Sequence, residues 1–245
     1  MTLLLLKIIA CLSMLIDHIG IVFGIVFFRI AGRIAFPIFA FLISNGFLHT
    51  KNVKKYVLRL VLLALISEIP FDLFLYGKMF YWGKQNVIFT LLLGLLFIVT
   101  ADYLKKHNLI WLSVFPLAFS CLMAVFIKCD YGYIGVAAVA VFYLFSNSRL
   151  LTAASFIWVY MWNVISYVLY SSFPVLRNIP VIIQTSLPTF SHNIRVFGIL
   201  ALIPILMYNG EYGIDKKYNN AVKYGFYLFY PVHLLILYVF VRIAS

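Results

Sequence analysis

The sequence LLLLKIIACLSMLIDHIGIVFGIVFF, residues 3–28, decides the fold class of this chain. It is an apolar run longer than the roughly 20 residues that a helix needs to cross about 30 Å of hydrocarbon. Within it stand Asp17 and His18, a carboxylate and an imidazole that hydrocarbon does not solvate. This pattern predicts a transmembrane helix that carries ionisable side chains for a functional reason.

The composition extends this reading to the whole chain. The 245 residues are 65% hydrophobic and 11% charged, with a mean hydropathy of +1.05, whereas soluble domains carry about 25% charged residues. The alternating segments typical of a membrane β-barrel are not visible in the sequence. We therefore predict one all-α polytopic domain over residues 1–245, a bundle of about nine transmembrane helices with a polar central cavity, in the plasma membrane.

Repeated apolar runs place the predicted spans along the chain. They lie near residues 3–27, 31–48, 56–76, 86–103, 109–127, 132–146, 150–172, 193–208 and 223–243. The stretch 174–192 is apolar but carries three prolines, which break helices. We expect it to be re-entrant or interfacial, the alternative being part of a tenth span.

Basic residues in short connections predict the topology. They fall in the segments 49–59, 103–108, 146–150 and 209–223. With nine spans these four segments share one side, which the positive-inside rule makes cytoplasmic, together with the N-terminus. The same rule accounts for the net charge of +12, so we expect a lipid bilayer and no nucleic acid as partner.

Polar side chains within the predicted spans are the candidate functional residues, because an ionisable group in mid-membrane is costly. These residues are Lys7, Asp17, His18, Arg29, Arg33, Arg59, Glu68, Asp72, Asn86 and His233. Lys7 and His18 are eleven positions apart, about three helical turns, so they project from nearly one face about 16 Å apart. A histidine beside an acid is suited to proton transfer near neutral pH.

Asp17 projects about 100° away from His18 on the helix. We expect it to pair with Arg29 or Arg33 across the turn at 28–32, because pairing is how a bilayer tolerates a carboxylate. His233 follows Pro231, and we expect it either to bond a carbonyl freed by that proline or to act in function.

Glu68 and Asp72 are four positions apart and share a helix face, with Pro70 between them. We expect them near Arg33, lining the polar cavity. The alternative is a buried ion-pair network that only fixes helix packing. The three cysteines, Cys11, Cys121 and Cys129, have no metal-ligand spacing, so we expect neither a disulfide framework nor a metal site.

Several of these residues stand in stretches that resemble the TraX family, integral membrane proteins associated with N-terminal acetylation of conjugative pilin. The stretches are LKIIACLSMLIDHIGIVF, RIAGRIAFPIFAFLISNGFLHTKNVKKYVLRL, ISEIPFDL, NVIFTLLLGLL and FYLFYPVHLLIL. The resemblance runs from the first predicted span to the last and is strongest over the first four.

That family in turn looks like a small relative of the membrane acyltransferase-3 superfamily, whose first helix has a basic residue and a histidine separated by ten residues. Lys7 and His18 match this spacing, and of the superfamily's paired arginines after the basic turn only Arg59 fits well. The resemblance implies acyl transfer from cytoplasmic acetyl-CoA to an acceptor at the outer side. The acceptor would be the N-terminal amine of a membrane or secreted peptide, or a sugar hydroxyl of a glycan.

Acetyl transfer needs a base for the acceptor proton and a group that stabilises the developing oxyanion. His18 is the predicted base. Asp17 would orient its ring or balance the charge of the imidazolium as it forms, and Glu68 is a further catalytic candidate. Arg33 or Asn86 could face the oxyanion. The predicted donor-binding residues are Lys7, Arg29, Arg33, Lys51, Lys54, Lys55 and Arg59.

Two other classes of function compete with this reading. One is a proton-coupled membrane transporter that uses Asp17, His18, Glu68 and Asp72 as a relay. The other is a non-enzymatic membrane chaperone. The sequence does not name the acceptor, the acyl chain length or the oligomeric state.

Overall fold

A computed structural model describes residues 1–172, 194–213 and 219–244, and this part of the chain is helical. The helices are α1 (Leu3–Phe23), α2 (Val26–Gly32), α3 (Ala35–His49), α4 (Val53–Tyr76), α5 (Val87–Lys106), α6 (Val114–Phe126), α7 (Gly132–Leu144), α8 (Arg149–Ser172), α9 (Leu202–Leu206) and α10 (Asn219–Ala244). Short 3₁₀ segments, Ile110–Ser113 and Ile194–Ala201, lead into α6 and α9. The expectation for 174–192 lies outside the described residues.

Local chemistry sets the ends of the first helix. The Thr2 hydroxyl accepts a hydrogen bond from the backbone N–H of Leu5 and caps the start of α1. Gly24 adopts φ 67°, in the left-handed region that favours glycine, and its N–H bonds the Gly20 carbonyl. The first predicted span ran to residue 27, but this cap ends the helix at Phe23.

Four segments of the described chain are long and apolar enough to cross a bilayer. They are Leu3–Phe23, Val26–His49, Val87–Lys106 and Ala221–Ala244. Three shorter apolar segments, Ile110–Phe126, Gly132–Leu144 and Ile194–Leu206, also lie where spans were expected. The chain is thus a helical membrane protein, and the total of nine spans stays a prediction.

Gly32 lets α2 lie directly against α1. A Cβ atom at this position would stand 2.3 Å from the Cβ atom of Asp17, so a side chain there would overlap the first helix. Glycine therefore permits the short second helix to bring Arg29 and Arg33 to the carboxylate of α1. The buried core lies behind this contact, where α3, α5 and α7 pack together.

The described basic segments gather at one end of the molecule, which we call the basic end (residues 1–7, 47–59, 102–108, 143–150, 207–213 and 223–227). The amino group of Met1 donates to the Met207 carbonyl at 2.8 Å, and Arg149 donates to the neighbouring Tyr208 carbonyl at 3.4 Å. Arg59 lies within electrostatic range of Lys223. The predicted grouping of the basic loops therefore holds for the described residues, while Lys216 and Lys217 lie outside them.

Candidate functional site

Two histidines from distant parts of the chain meet near the C-terminal end of α1, about 16 Å along its axis from Lys7 at the basic end. His18 on α1 and His233 on α10 lie 2.8 Å apart, from Nδ1 of the first ring to Nε2 of the second. The Nδ1 atom of His233 lies 2.7 Å from the Phe229 carbonyl oxygen. We call His18 and His233 the histidine pair.

The Phe229 carbonyl fixes the tautomers of the neutral histidine pair. A carbonyl oxygen only accepts, so Nδ1 of His233 carries the hydrogen and its Nε2 is the acceptor. Nδ1 of His18 must then donate to that Nε2. The Nε2 atom of His18 is left with a lone pair, which is the protonation state that a general base requires.

Aromatic packing holds both rings in place. Phe74 of α4 meets the His18 ring edge-on, with ring centroids 5.4 Å apart, and Phe229 stacks on His233 at 4.8 Å. His233 is buried, whereas His18 is only partly so.

The structure refines the expectation for His233. The carbonyl that Pro231 leaves without its usual N–H partner is that of Tyr227, four residues earlier. His233 bonds the carbonyl of Phe229 instead, four residues before itself. A carbonyl partner is confirmed, but the sequence prediction assigned it to the wrong residue and missed the bond to His18.

Asp17 pairs with arginine, as predicted. Arg33 donates from Nη2 to Asp17 Oδ2, and Arg29 Nε lies 3.7 Å from Asp17 Oδ1. Arg33 also donates from Nε to the Arg29 carbonyl at 3.1 Å, which fixes the guanidinium beside the carboxylate. Among the described contacts, His18 donates its hydrogen bond to His233, and Asp17 does not bond the His18 ring.

Glu68 and Asp72 anchor the connection between α4 and α5. Glu68 accepts hydrogen bonds from the backbone N–H of Asn86, at 3.2 Å, and from its side-chain amide. Asn86 is fully buried and caps α5 by accepting from the Ile88 N–H at 2.9 Å. Asp72 accepts from the Tyr81 N–H at 2.7 Å. The contact of Glu68 is thus Asn86, not the expected Arg33.

A second polar cluster near this end was not predicted from the sequence. Asp130 lies 2.6 Å from Lys84 Nζ, and Arg195 donates to the Asp130 carbonyl at 2.8 Å. Burial alone would raise the pKa of the Asp130 carboxyl, but Lys84 and Arg195 hold that pKa well below its usual range. In the sequence each of these residues is only a charge at the edge of an apolar run. Nothing indicated that they meet, because the three residues are far apart in the chain.

At the basic end, Lys7 points among aromatic rings near the start of α10. Its Nζ lies 3.5 Å from the Tyr212 hydroxyl and 5.5 Å from the centre of the Phe226 ring. Arg59 hydrogen-bonds Tyr227 on the same helix. Three more predicted donor-binding residues at this end are exposed: Lys51, Lys54 and Lys55.

Helix α1 joins the two ends of the molecule. Lys7 and His18 are about 16 Å apart along its axis, and α10 packs beside it and also against α4. Arg29 and Arg33, which were expected to bind the donor, lie beside Asp17 near the histidine pair instead of at the basic end.

Comparisons with known proteins agree with the motifs. Residues 2–241 match the family model described as TraX protein. The chain is 28% identical over 247 residues to a protein named "Probable fimbrial assembly protein FimC, serogroup H1" from Dichelobacter nodosus, covering 95% of this chain and 92% of that protein. No solved structure matches. Because the family model spans nearly the whole sequence, this chain belongs to the TraX family.

Proposed function

We propose that this protein is a membrane acetyltransferase that moves an acetyl group from cytoplasmic acetyl-CoA to an acceptor at or beyond the membrane. The observation that carries the proposal is the histidine pair, in which His233 leaves the Nε2 lone pair of His18 available. A basic, partly buried side chain, Lys7, stands about three turns away on the same helix.

The acceptor that we favour is the N-terminal amine of a membrane or secreted peptide, with a sugar hydroxyl as the alternative. The Dichelobacter relative is named a fimbrial assembly protein. That name supports a peptide over a glycan.

The chemistry needs one base and one cationic group near the thioester. His18 Nε2 takes the proton of the acceptor amine or hydroxyl as that nitrogen or oxygen attacks the acetyl carbonyl. Arg33, held by Asp17, is the candidate that stabilises the oxyanion of the tetrahedral intermediate. When the carbon–sulfur bond breaks, the CoA thiolate leaves and receives the proton from His18.

The basic end suits the other part of the donor. CoA carries phosphates, which lysine and arginine side chains bind through charge-assisted hydrogen bonds. Lys223, near the start of α10, lies within electrostatic range of both Lys7 and Arg59. In the proposed topology this end faces the cytoplasm of a plasma-membrane protein with about nine spans around a polar central cavity.

The proposal is tested with purified full-length protein in detergent and labelled acetyl-CoA. We expect saturable binding and slow hydrolysis without acceptor, and acetyl transfer once an acceptor peptide is added. His18→Ala should lower transfer by about 10²–10⁴-fold while binding is retained. His49→Ala is the matched control, because His49 is exposed at the basic end and, among the described residues, its hydrogen-bond partner is the Asn45 carbonyl of its own helix.

Two results would overturn the proposal. One is transfer at the wild-type rate by His18→Ala at equal protein abundance. The other is no binding of acetyl-CoA together with proton flux in liposomes, which would favour a transporter that uses the buried carboxylates and His18 as a relay.

A further inference from the structure

A cavity of about 370 Å³ opens beside the second polar cluster, outside the residues used in the proposed chemistry. Its polar lining includes Lys84, Lys128, Asp130 and Arg195. The lining thus has three cationic side chains and one carboxylate. The Asp130 carboxylate pairs with Lys84 at 2.6 Å, so the charges of the other two cations are not balanced by it. The cavity is therefore cationic, and the ligand that it favours is an anion.

Arg195 is set in place for such a ligand. Its side chain is only 9% exposed, donates to the Asp130 carbonyl and lies over the Tyr131 ring with its guanidinium carbon 4.8 Å from the ring centre. Tyr131 in turn stacks on Phe36 of α3. A guanidinium fixed in this way loses little side-chain entropy on binding, and its planar array of N–H groups matches phosphate oxygens.

An apolar groove of about 360 Å³ continues from the cavity between α7 and α8. Tyr133 and Ile134 line both spaces, and Trp158 and Trp162 form the far wall of the groove. The two tryptophans are 63% and 42% exposed on the outer surface of the bundle. A cationic cavity that continues into an aromatic groove matches a molecule with an anionic head and an apolar tail.

We infer that the cavity and the groove together bind an anionic phospholipid of the surrounding bilayer. Its phosphate would lie against Arg195 and Lys128, and one acyl chain would lie along Trp158 and Trp162. Charge complementarity selects this occupant over a zwitterionic lipid, because the cavity has an excess of positive charge that an anionic headgroup balances and a zwitterionic one does not. The inference does not depend on acetyl transfer.

Lys128 offers a test that does not perturb the fold. Its backbone φ is 57°, in the left-handed region that favours glycine, and its side chain is exposed. Lys128→Gly therefore removes one cavity charge at a position where glycine relieves strain. Lys105→Gln is the matched control, since it removes an exposed lysine at the basic end.

Native mass spectrometry of the delipidated full-length protein measures the binding. The probes are phosphatidylglycerol and phosphatidylcholine with the same acyl chains, with inorganic phosphate as competitor. We expect tighter binding of phosphatidylglycerol. Lys128→Gly should weaken it about fivefold, as expected for one basic residue, and leave phosphatidylcholine unchanged. Trp158→Ala should weaken both lipids, and Lys105→Gln neither.

Four results would overturn the inference. They are equal affinity for the two lipids, equal losses in Lys128→Gly and Lys105→Gln, unchanged lipid binding in Trp158→Ala, and full displacement of the lipid by inorganic phosphate. The last would identify a free-anion site in place of a lipid site.

Discussion

His233 provides the sharpest test of how the histidine pair works. Replacing it by alanine removes the acceptor for His18 Nδ1 and the contact with the Phe229 carbonyl. The His18 ring is then free to rotate or to change tautomer, and part of the population presents a hydrogen at Nε2 instead of a lone pair. Activity should fall although the base itself is intact.

The size of this loss follows from the hydrogen bond that is removed. A typical hydrogen bond contributes about 0.5–1.5 kcal/mol net. At 1.36 kcal/mol for each factor of ten, this range corresponds to a loss of about 2- to 13-fold in transfer rate. His18→Ala, which removes the base, should lose about 10²–10⁴-fold. In His233→Gln the side-chain oxygen can accept from His18, so that variant should retain more activity than His233→Ala.

A double-mutant cycle distinguishes positioning from an independent role. The assay is acetyl transfer by wild-type protein, both single variants and the double variant at matched membrane abundance, with acetyl-CoA affinity measured separately. If His233 acts only through His18, adding His233→Ala to His18→Ala causes no further loss. Losses that multiply would refute this reasoning, as would His233→Ala with the full wild-type rate.

The remaining predictions concern topology, the α4 carboxylates and acid stability. Lys54→Cys should resist a membrane-impermeant thiol reagent added to intact cells, and ready labelling would invert the proposed orientation. Glu68→Ala should lower activity more than Asp72→Ala, because alanine removes the acceptor of two hydrogen bonds from Asn86 at position 68 and the acceptor of one from Tyr81 at position 72. Full activity of both variants at normal membrane levels would contradict this. Since Asp130 has a depressed folded-state pKa, its stabilisation is present above the unfolded value of about 3.9 and is lost as pH falls through the folded value. Lys84→Gln raises that folded-state pKa, so it should lower the melting temperature at neutral pH and make the melting temperature fall less on acidification; an acid profile equal to that of the wild type would contradict this.

Local sequence features predicted the helices well, because hydrophobic run length and helix caps are local. The apolar runs near 86–103 and 132–146 became α5 (Val87–Lys106) and α7 (Gly132–Leu144). The pairing of Asp17 with Arg33 was also predictable, since the two residues are separated by one short turn. The short helix α2 (Val26–Gly32) was missed, because a turn was expected at 28–32.

Contacts between distant parts of the chain were not predictable from a single sequence. His18 and His233 are 215 positions apart, and nothing in either local pattern specifies which helices are neighbours. For the same reason the cluster of Asp130 and Arg195 was not found, although each residue is a charge beside an apolar run. Which helices are neighbours depends on packing over the whole bundle, whereas the hydrophobic pattern defines only which face of each helix is apolar.

The position of the histidine pair also constrains how two substrates would meet under the proposed function. A donor held by its phosphates beside Lys7 extends along α1 toward His18, so it occupies the basic end of that path. The acceptor must then reach His18 Nε2 from the opposite end or from the side, where Asp17 and Arg33 lie. The donor and the acceptor would then reach His18 Nε2 from opposite ends. In this arrangement the acetyl group would cross the membrane while CoA stays on its own side.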